Sequence, residues 1–192
     1  MTTHSVAIVQ SILLGAGRPG NSFNDLENVI GSNDVTIDTK ASIKSIELIC
    51  SQAIDGIKIT YRKTSDFSDY TPQYHGTSDS CKDKNVSTPK IELLDTEHII
   101  AISGKAGKTT AWGTRVCALC FAIYDSATGE TRVTDLYGGT DGTAFRVTAN
   151  GYFVGFGGYA IDTSLSLKEL KDKNIDGGLY GLTMFDIAYS KV

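Results

Sequence analysis

No stretch of this chain stays apolar for the roughly 18 to 20 residues that a membrane-crossing helix needs. No run of like charge occurs either: 18 basic residues stand against 22 acidic ones, for a formal net charge of −4. Such a surface offers no footprint for a phosphate backbone or an anionic bilayer, so neither nucleic acid nor membrane insertion is expected. Proline is scarce, with 3 residues, and no Pro-rich hinge or shift in composition divides the chain. One domain spanning residues 1–192 is therefore expected. Glycine, by contrast, is abundant at 20 residues, without the Gly-X-Y period of collagen, and a hydrophobic content of 41% is too high for a disordered chain. The glycines must serve specific turns.

The apolar run at 6–14 contains Gln10 and Ser11, lacks a basic flank and leads into a glycine turn, so it reads as a first strand rather than a secretory leader. A cytoplasmic protein, or one exported without a conventional signal, is expected. In that setting Cys50, Cys81, Cys117 and Cys120 read as reduced thiols rather than a disulfide framework. Cys117 and Cys120 form a C-x-x-C, but within a strand pattern, where residues three apart point to opposite faces, and no second pair completes a zinc site. Packing is the better reading, and no metal or cofactor is expected. The sequon at Asn85 carries little meaning without a route into the secretory pathway.

Short β-rich runs separated by turn residues recur at 6–14, 35–38, 43–50, 54–61, 90–94, 98–103, 114–124, 130–136, 144–148, 152–156 and 179–189. Alternation along 54–61 puts Ile57, Ile59 and Tyr61 on one face with Lys58 and Thr60 on the other. Many such strands with almost no helical period predict an all-β sandwich, barrel or prism. The helix-like stretch at 164–173 could equally be a strand or a loop. Residues 62–89 are polar and read as a long surface excursion, and a second insertion falls near 163–178.

Catalytic patterns are missing. His4, His75 and His98 have neither nucleophile-elbow nor metal-ligand spacing, and each reads as a surface residue. Ser103 to Thr110 superficially suggests a phosphate loop, yet Gly104 and Gly107 are only three apart and a strand follows, which makes it a hairpin loop. The acidic residues are scattered in turns, without an acid and base pair. No enzymatic activity is expected.

Four segments, taken in order, resemble the jacalin-related lectin family. They are the glycine-rich opening from Gly15 to Asp25; the pair at 43–61 with its Ile-x-Gly-Ile-x-Ile-x-Tyr signature; the segment from Ile91 through Glu97 to Gly104; and the ending from Phe145 to Gly151-Tyr-Phe-Val-Gly-Phe-Gly-Gly158. The resemblance spans roughly residues 6 to 190 and implies a β-prism of three antiparallel four-stranded sheets about a pseudo-threefold axis. It also implies a metal-free sugar site at one end, made by the first glycine loop and the loop between the last two strands. Sugar hydroxyls both donate and accept, so exposed backbone N–H groups and one ionised carboxylate suit them.

Carried onto this sequence, Gly20 matches the glycine whose amide contacts sugar, and Gly158-Tyr-Ala-Ile-Asp162 fits the family's Gly-x-x-x-Asp. Asp162 would accept from two sugar hydroxyls, the amides of Tyr159 and Ala160 would donate, the Tyr159 ring could stack on a sugar face, and Trp112 could add a third wall. One departure stands out. In the family the last strand starts directly after the Asp, whereas here a further stretch to Gly181 intervenes, and aligning the last strand first puts Thr183 in the Asp position. The resemblance implies binding of mannose- or glucose-type glycans, because galactose-specific members carry a new amino terminus at the first loop and this chain runs through it uncut. A weak single site would gain from avidity, so a homo-oligomer is expected. The alternative is a prism scaffold with a degenerate sugar site that binds a protein.

Overall fold

The computed structural model describes residues 4–30, 40–63, 68–72, 74–78, 86–110, 112–163, 169 and 177–191. The predicted strand at 35–38 and nearly all of the helix-like stretch at 164–173 lie outside the described residues.

In chain order the elements are β1 (His4–Gln10), β2 (Leu14–Gly15), β3 (Asn21–Asn24), α1 (Asp25–Ile30), β4 (Ile43–Cys50), β5 (Ile54–Arg62), β6 (Asp69–Tyr70), β7 (His75–Gly76), β8 (Lys90–Glu92), β9 (Glu97–Lys108), β10 (Thr114–Asp125), β11 (Thr131–Val133), β12 (Tyr137–Gly138), β13 (Thr143–Thr148), β14 (Phe153–Ile161) and β15 (Gly178–Lys191). They form three antiparallel sheets, ordered β1-β15-β14-β3, β11-β10-β9-β13 and β6-β5-β4-β8. Each is built on a long central hairpin, and each takes an extra two-residue strand, β2, β12 or β7, against that hairpin's second strand. This is the expected β-prism. The alternation read from the sequence holds: Ile57, Ile59 and Tyr61 are wholly buried and join Ile46, Leu119, Phe121, Phe156, Leu182 and Met184 in one core shared by all three sheets.

One short helix was not foreseen. The side chain of Asn24 accepts the N–H groups of Leu26 and Glu27 at 3.1 and 3.2 Å, so a cap, not an apolar period, starts α1. Leu26 then packs over Gly155, where a Cβ would lie 2.7 Å from Leu26 Cγ.

The excursion at 62–89 does not remain at the surface. His75, Gly76 and Thr77 are buried, and β6 and β7 return to pair with β5. The expectation of a surface His75 fails for a definite reason. Its Nε2 lies 2.7 Å from Asp25 Oδ1, its ring stacks on Phe23 at 3.7 Å, and Tyr61 Oη donates to the other Asp25 oxygen at 2.7 Å. The Phe156 N–H in turn donates to Tyr61 Oη at 3.2 Å. This buried chain of polar groups ties β7 and β5 to β14 and the start of α1. His98 is only partly covered, and stacks on Tyr152 at 4.5 Å.

Cys50, Cys117 and Cys120 are free thiols. Burial is the main reason that Cys50 is pushed up to about 12, with the Asp55 carboxylate adding to it. The 103–110 segment is not itself the expected hairpin loop: residues 103–108 are strand, β9 and β10 pair out to Lys108 and Thr114, and the turn comes only after them.

The threefold relation extends to single backbone atoms. In each central hairpin the register slips at one residue of the second strand, Tyr180, Asp55 or Cys117. Such a bulge residue drops out of the ladder. Its carbonyl instead accepts an N–H from just beyond the extra strand, Ala16, Thr77 or Gly139, at 2.9 Å each time. Directly before these donors stand Gly15, Gly76 and Gly138, with φ of 85°, 93° and 102°, which only glycine adopts readily.

Candidate functional site

The first glycine loop runs from Gly15 to β3. Its beginning is fixed by the Ala16 to Tyr180 bond and by the β2 pairing of Gly15 with Gly181. Its end presses on the last residues of β14: Gly20 has φ +134°, and a Cβ there would lie 3.0 Å from the Ala160 oxygen. Between these points Gly17 faces the Tyr159 ring, with a Cβ position 3.7 Å from it. The loop and the end of β14 thus make one continuous rim, and the structure brings Gly20, Tyr159 and Ala160 together as the sequence suggested.

Gly158 has another place. It lies inside the sheet, paired with Leu182 on one side and Phe23 on the other, and a Cβ would stand 2.0 Å from the Gly181 oxygen. Its smallness lets two backbones approach. Tyr159 and Ala160 likewise pair with β15 on one side and β3 on the other.

Asp162 is exposed at the end of β14, and its Oδ1 accepts the Gly76 N–H at 2.8 Å. Thr163 continues this contact by bridging to Thr77. The neighbour of this candidate aspartate is therefore the 75–78 segment, which the sequence places in the surface excursion at 62–89. Thr183, the other candidate for the aspartate position, lies buried in mid-strand opposite Gly157 and donates its hydroxyl to the Ser11 carbonyl at 2.9 Å.

Trp112, 36% exposed, is held at the same end of the prism by Arg115. The buried Arg115 guanidinium donates to the Trp112 carbonyl at 2.9 Å, to the Gly177 carbonyl at 2.8 Å and to Tyr180 Oη at 3.0 Å, and lies over the Tyr180 ring at 4.2 Å. One cation therefore joins the β9–β10 hairpin to the entry of β15. Nearby, Asp55 is pushed up to about 6, chiefly by burial, against hydrogen bonding from Ser51 and the charge of Arg115.

A hollow of about 590 Å³ opens beside the rim, bordered by Tyr159, Asp162, Phe23, Glu27, Gln10 and Phe185. Its walls combine aromatic faces with carboxylate and amide groups, a surface suited to a polyhydroxylated ligand. Among the described residues, no group of three His, Cys, Asp or Glu side chains is arranged to hold a metal ion.

A model of the Jacalin-like lectin domain matches residues 17–166, well over half of the chain. The chain belongs to this family. The match begins within the first glycine loop, takes in β14 and stops in the connection before β15. The fold of this lectin domain is similar to those of solved structures along nearly its whole length. Single-chain recombinant jacalin aligns at TM-score 0.61 and 23% identity over 93% of each chain. A mannose-binding jacalin-related lectin from Ananas comosus aligns at 0.61 and 20%, over 96% of this chain and 99% of that one. Artocarpin, in its mannopentose complex, aligns at 0.62 and 22%, over 94% and 97%. No curated protein matches the chain significantly.

His75, Gly76, Arg115 and Tyr180 escaped the sequence reading of the site. His75 and Gly76 lie 86 and more residues from Asp162, and no motif joins them. Arg115 carried a signal that could have been used, a cation opening an otherwise apolar strand.

Proposed function

We propose that this domain is a non-catalytic lectin that binds mannose- or glucose-type glycans at the rim formed by the first glycine loop and the end of β14. The observation that carries the reading is the close seat of Gly20 on Ala160, which sets the loop beside an exposed carboxylate two residues on. Family membership supports sugar binding, and the mannose-binding lectins among the similar folds support the choice of sugar. In this reading Asp162 accepts two adjacent sugar hydroxyls, the glycine loop offers N–H groups, and Tyr159 and Trp112 supply apolar surface to the ring faces. One shallow polar site binds weakly, and a homo-oligomer would raise avidity.

A second reading, a protein-binding prism, draws on the engagement of Asp162 Oδ1 by Gly76 and on the pairing of Tyr159 and Ala160 with both neighbouring strands. A glycan array separates the two. The lectin reading expects binding to terminal mannose or glucose that falls by about tenfold or more in Asp162→Asn, as loss of a charge-assisted bond implies. Binding untouched by this change would remove Asp162 from the site, and no binding to any glycan would favour the scaffold.

A further inference from the structure

We propose that His75 is a positioning residue of the sugar site, one that ties the aim of the Asp162 carboxylate to the end of the first glycine loop. The proposal rests on the lectin reading above. A carboxylate exposed at a strand end has free rotamers, and a ligand that needs one of them loses affinity in fixing it. Here one rotamer is already held. The Gly76 N–H donates to Asp162 Oδ1 at 2.8 Å, and Oδ2 has no partner among the described residues. The backbone beside the carboxylate is held by the same segment: the Thr163 N–H donates to the Gly76 carbonyl at 3.1 Å, and the Ser78 N–H to the Thr163 carbonyl at 2.9 Å. β14 ends at Ile161, whereas β7 belongs to the sheet of β5. The aspartate is therefore aimed by a segment of a different sheet.

Gly76 is itself closely seated. It pairs with Gly56, and a Cβ on it would lie 2.4 Å from the Asp55 oxygen and 2.9 Å from the Gly178 carbonyl carbon, which wedges the segment between β5 and the entry of β15. Those contacts set its depth, but none of them is with the glycine loop. His75 supplies that link. Its ring lies on Phe23 at 3.7 Å and 9° from parallel, and its Nε2 is 2.7 Å from Asp25 Oδ1. Phe23 pairs with Gly158, and Ser22 and Asn21 before it pair with Tyr159 and Ala160, so β3 carries the end of the loop into the rim. Asp25 is wholly buried and also accepts from Tyr61, so it cannot follow a displaced imidazole without leaving that second bond. One stacked ring and one hydrogen bond thus fix the spacing between the exit of the loop and the amide that aims Asp162. Both residues border the hollow of about 590 Å³, with Asp162 exposed and His75 only 5% exposed. A buried ring behind an exposed carboxylate acts on a ligand through that carboxylate.

The test is a titration of the ¹⁵N-labelled full chain with methyl α-mannoside and methyl α-glucoside, following amide shifts. The wild type is compared with His75→Ala, His75→Gln, Asp162→Ala and the double variant that combines His75→Ala with Asp162→Ala. Affinity should fall by about tenfold in Asp162→Ala, which loses a charge-assisted bond. It should fall by about fivefold in His75→Ala, as expected when one side chain must be ordered on binding. His75→Gln keeps a donor for Asp25 and should bind within about twofold of the wild type. The double variant should bind no more weakly than Asp162→Ala alone, because a residue that acts through a carboxylate has nothing to act on once it is gone. In the wild type, the Gly76 amide should shift with the Gly20 and Asp162 amides as sugar is added. Losses that multiply in the double variant would make His75 a structural residue only and overturn the proposal. So would a His75→Ala chain that binds within about twofold of the wild type, or a Gly76 amide that stays still while the Gly20 set moves. Each of these results spares the lectin reading. Undiminished binding in Asp162→Ala would remove Asp162 from the site and His75 with it. If neither sugar moves any wild-type amide, the lectin reading itself fails and the proposal falls with it.

Discussion

The β14–β15 and β9–β10 hairpins share a backbone and differ in almost every side chain at their tips. Both seat a glycine against a neighbouring carbonyl, both carry a bulge on the second strand, and both bulge carbonyls hold a loop N–H at 2.9 Å. Yet the bulge residues are Tyr180 and Cys117, the loop-covering residues are Tyr159 and Lys105, and the tip positions are Asp162 and Lys108. Backbone geometry is the repeated unit here, and the side chains at the tip are what each copy varies.

The strongest way to break the comparison is to add one carbon at the equivalent seats. A Cβ at Gly104 would lie 1.9 Å from the Ala118 oxygen, and one at Gly158 lies 2.0 Å from the Gly181 oxygen. Both obstacles are backbone, so Gly104→Ala and Gly158→Ala should each destabilise by roughly 3 kcal/mol or more in urea unfolding. Similar losses are expected; tolerance of one change but not the other would show that the two hairpins are not built alike.

The third bulge residue, Asp55, sharpens the contrast through pH. Its carboxyl is raised from an ordinary 3.8 to about 6 in the folded chain, so the fold holds this proton to higher pH than the unfolded chain does. The associated stability is present below about pH 4, declines as pH rises through about 6, and stays lost above, with a total on the order of 3 kcal/mol. Glu97 works in the opposite sense. Hydrogen bonding from Arg132 holds it below its ordinary 4.5, so its contribution disappears as pH falls below that value. In Asp55→Asn the decline between about pH 4 and 7 should vanish, as read from unfolding midpoints across that range. An unchanged slope would remove Asp55 as its source.

A change of intermediate size falls on the junction between β5 and β14. Tyr61→Phe removes the hydroxyl shared by Asp25 and the Phe156 N–H, leaving two buried groups short of a partner. A loss of about 2 kcal/mol is expected in thermal or urea unfolding. The smallest effect concerns Thr77, equivalent to Ala16 and Gly139, whose wholly buried Oγ1 has no hydrogen-bond partner among the described residues. Thr77→Val should be neutral or stabilising by up to about 1 kcal/mol, and a clear loss of melting temperature would show that the hydroxyl is used.

The sequence was informative where local patterns determine structure. Alternation at 54–61 placed Ile57, Ile59 and Tyr61 in the core, and the strand pattern after 103–110 excluded a phosphate loop there, although the turn itself begins only after Lys108. The glycine-rich opening and the Gly-Phe-Gly-Gly ending were read as neighbours, and they are. What escaped notice depends on meetings between distant residues. His75 reads as polar-loop histidine until Asp25, 50 residues away, closes on it. The two-residue strands β2, β7 and β12 are too short for any period, and the equivalence of Tyr180, Asp55 and Cys117 lies in their carbonyl oxygens, which no side-chain pattern records. The same limit applies to α1, set by the Asn24 cap rather than by a hydrophobic stripe.

The central position of β15, between β1 and β14, also governs the order of assembly. Its pairing with β1 joins residues 10 and 185, whereas the β4–β5 and β9–β10 hairpins close from nearby partners. During synthesis those two hairpins can form while the first strand still waits for its partner. The rim at Tyr180 and Ala16 is then the last part of the prism to close, so a ribosome-bound chain stalled before residue 178 would display most of the scaffold without its first glycine loop in place.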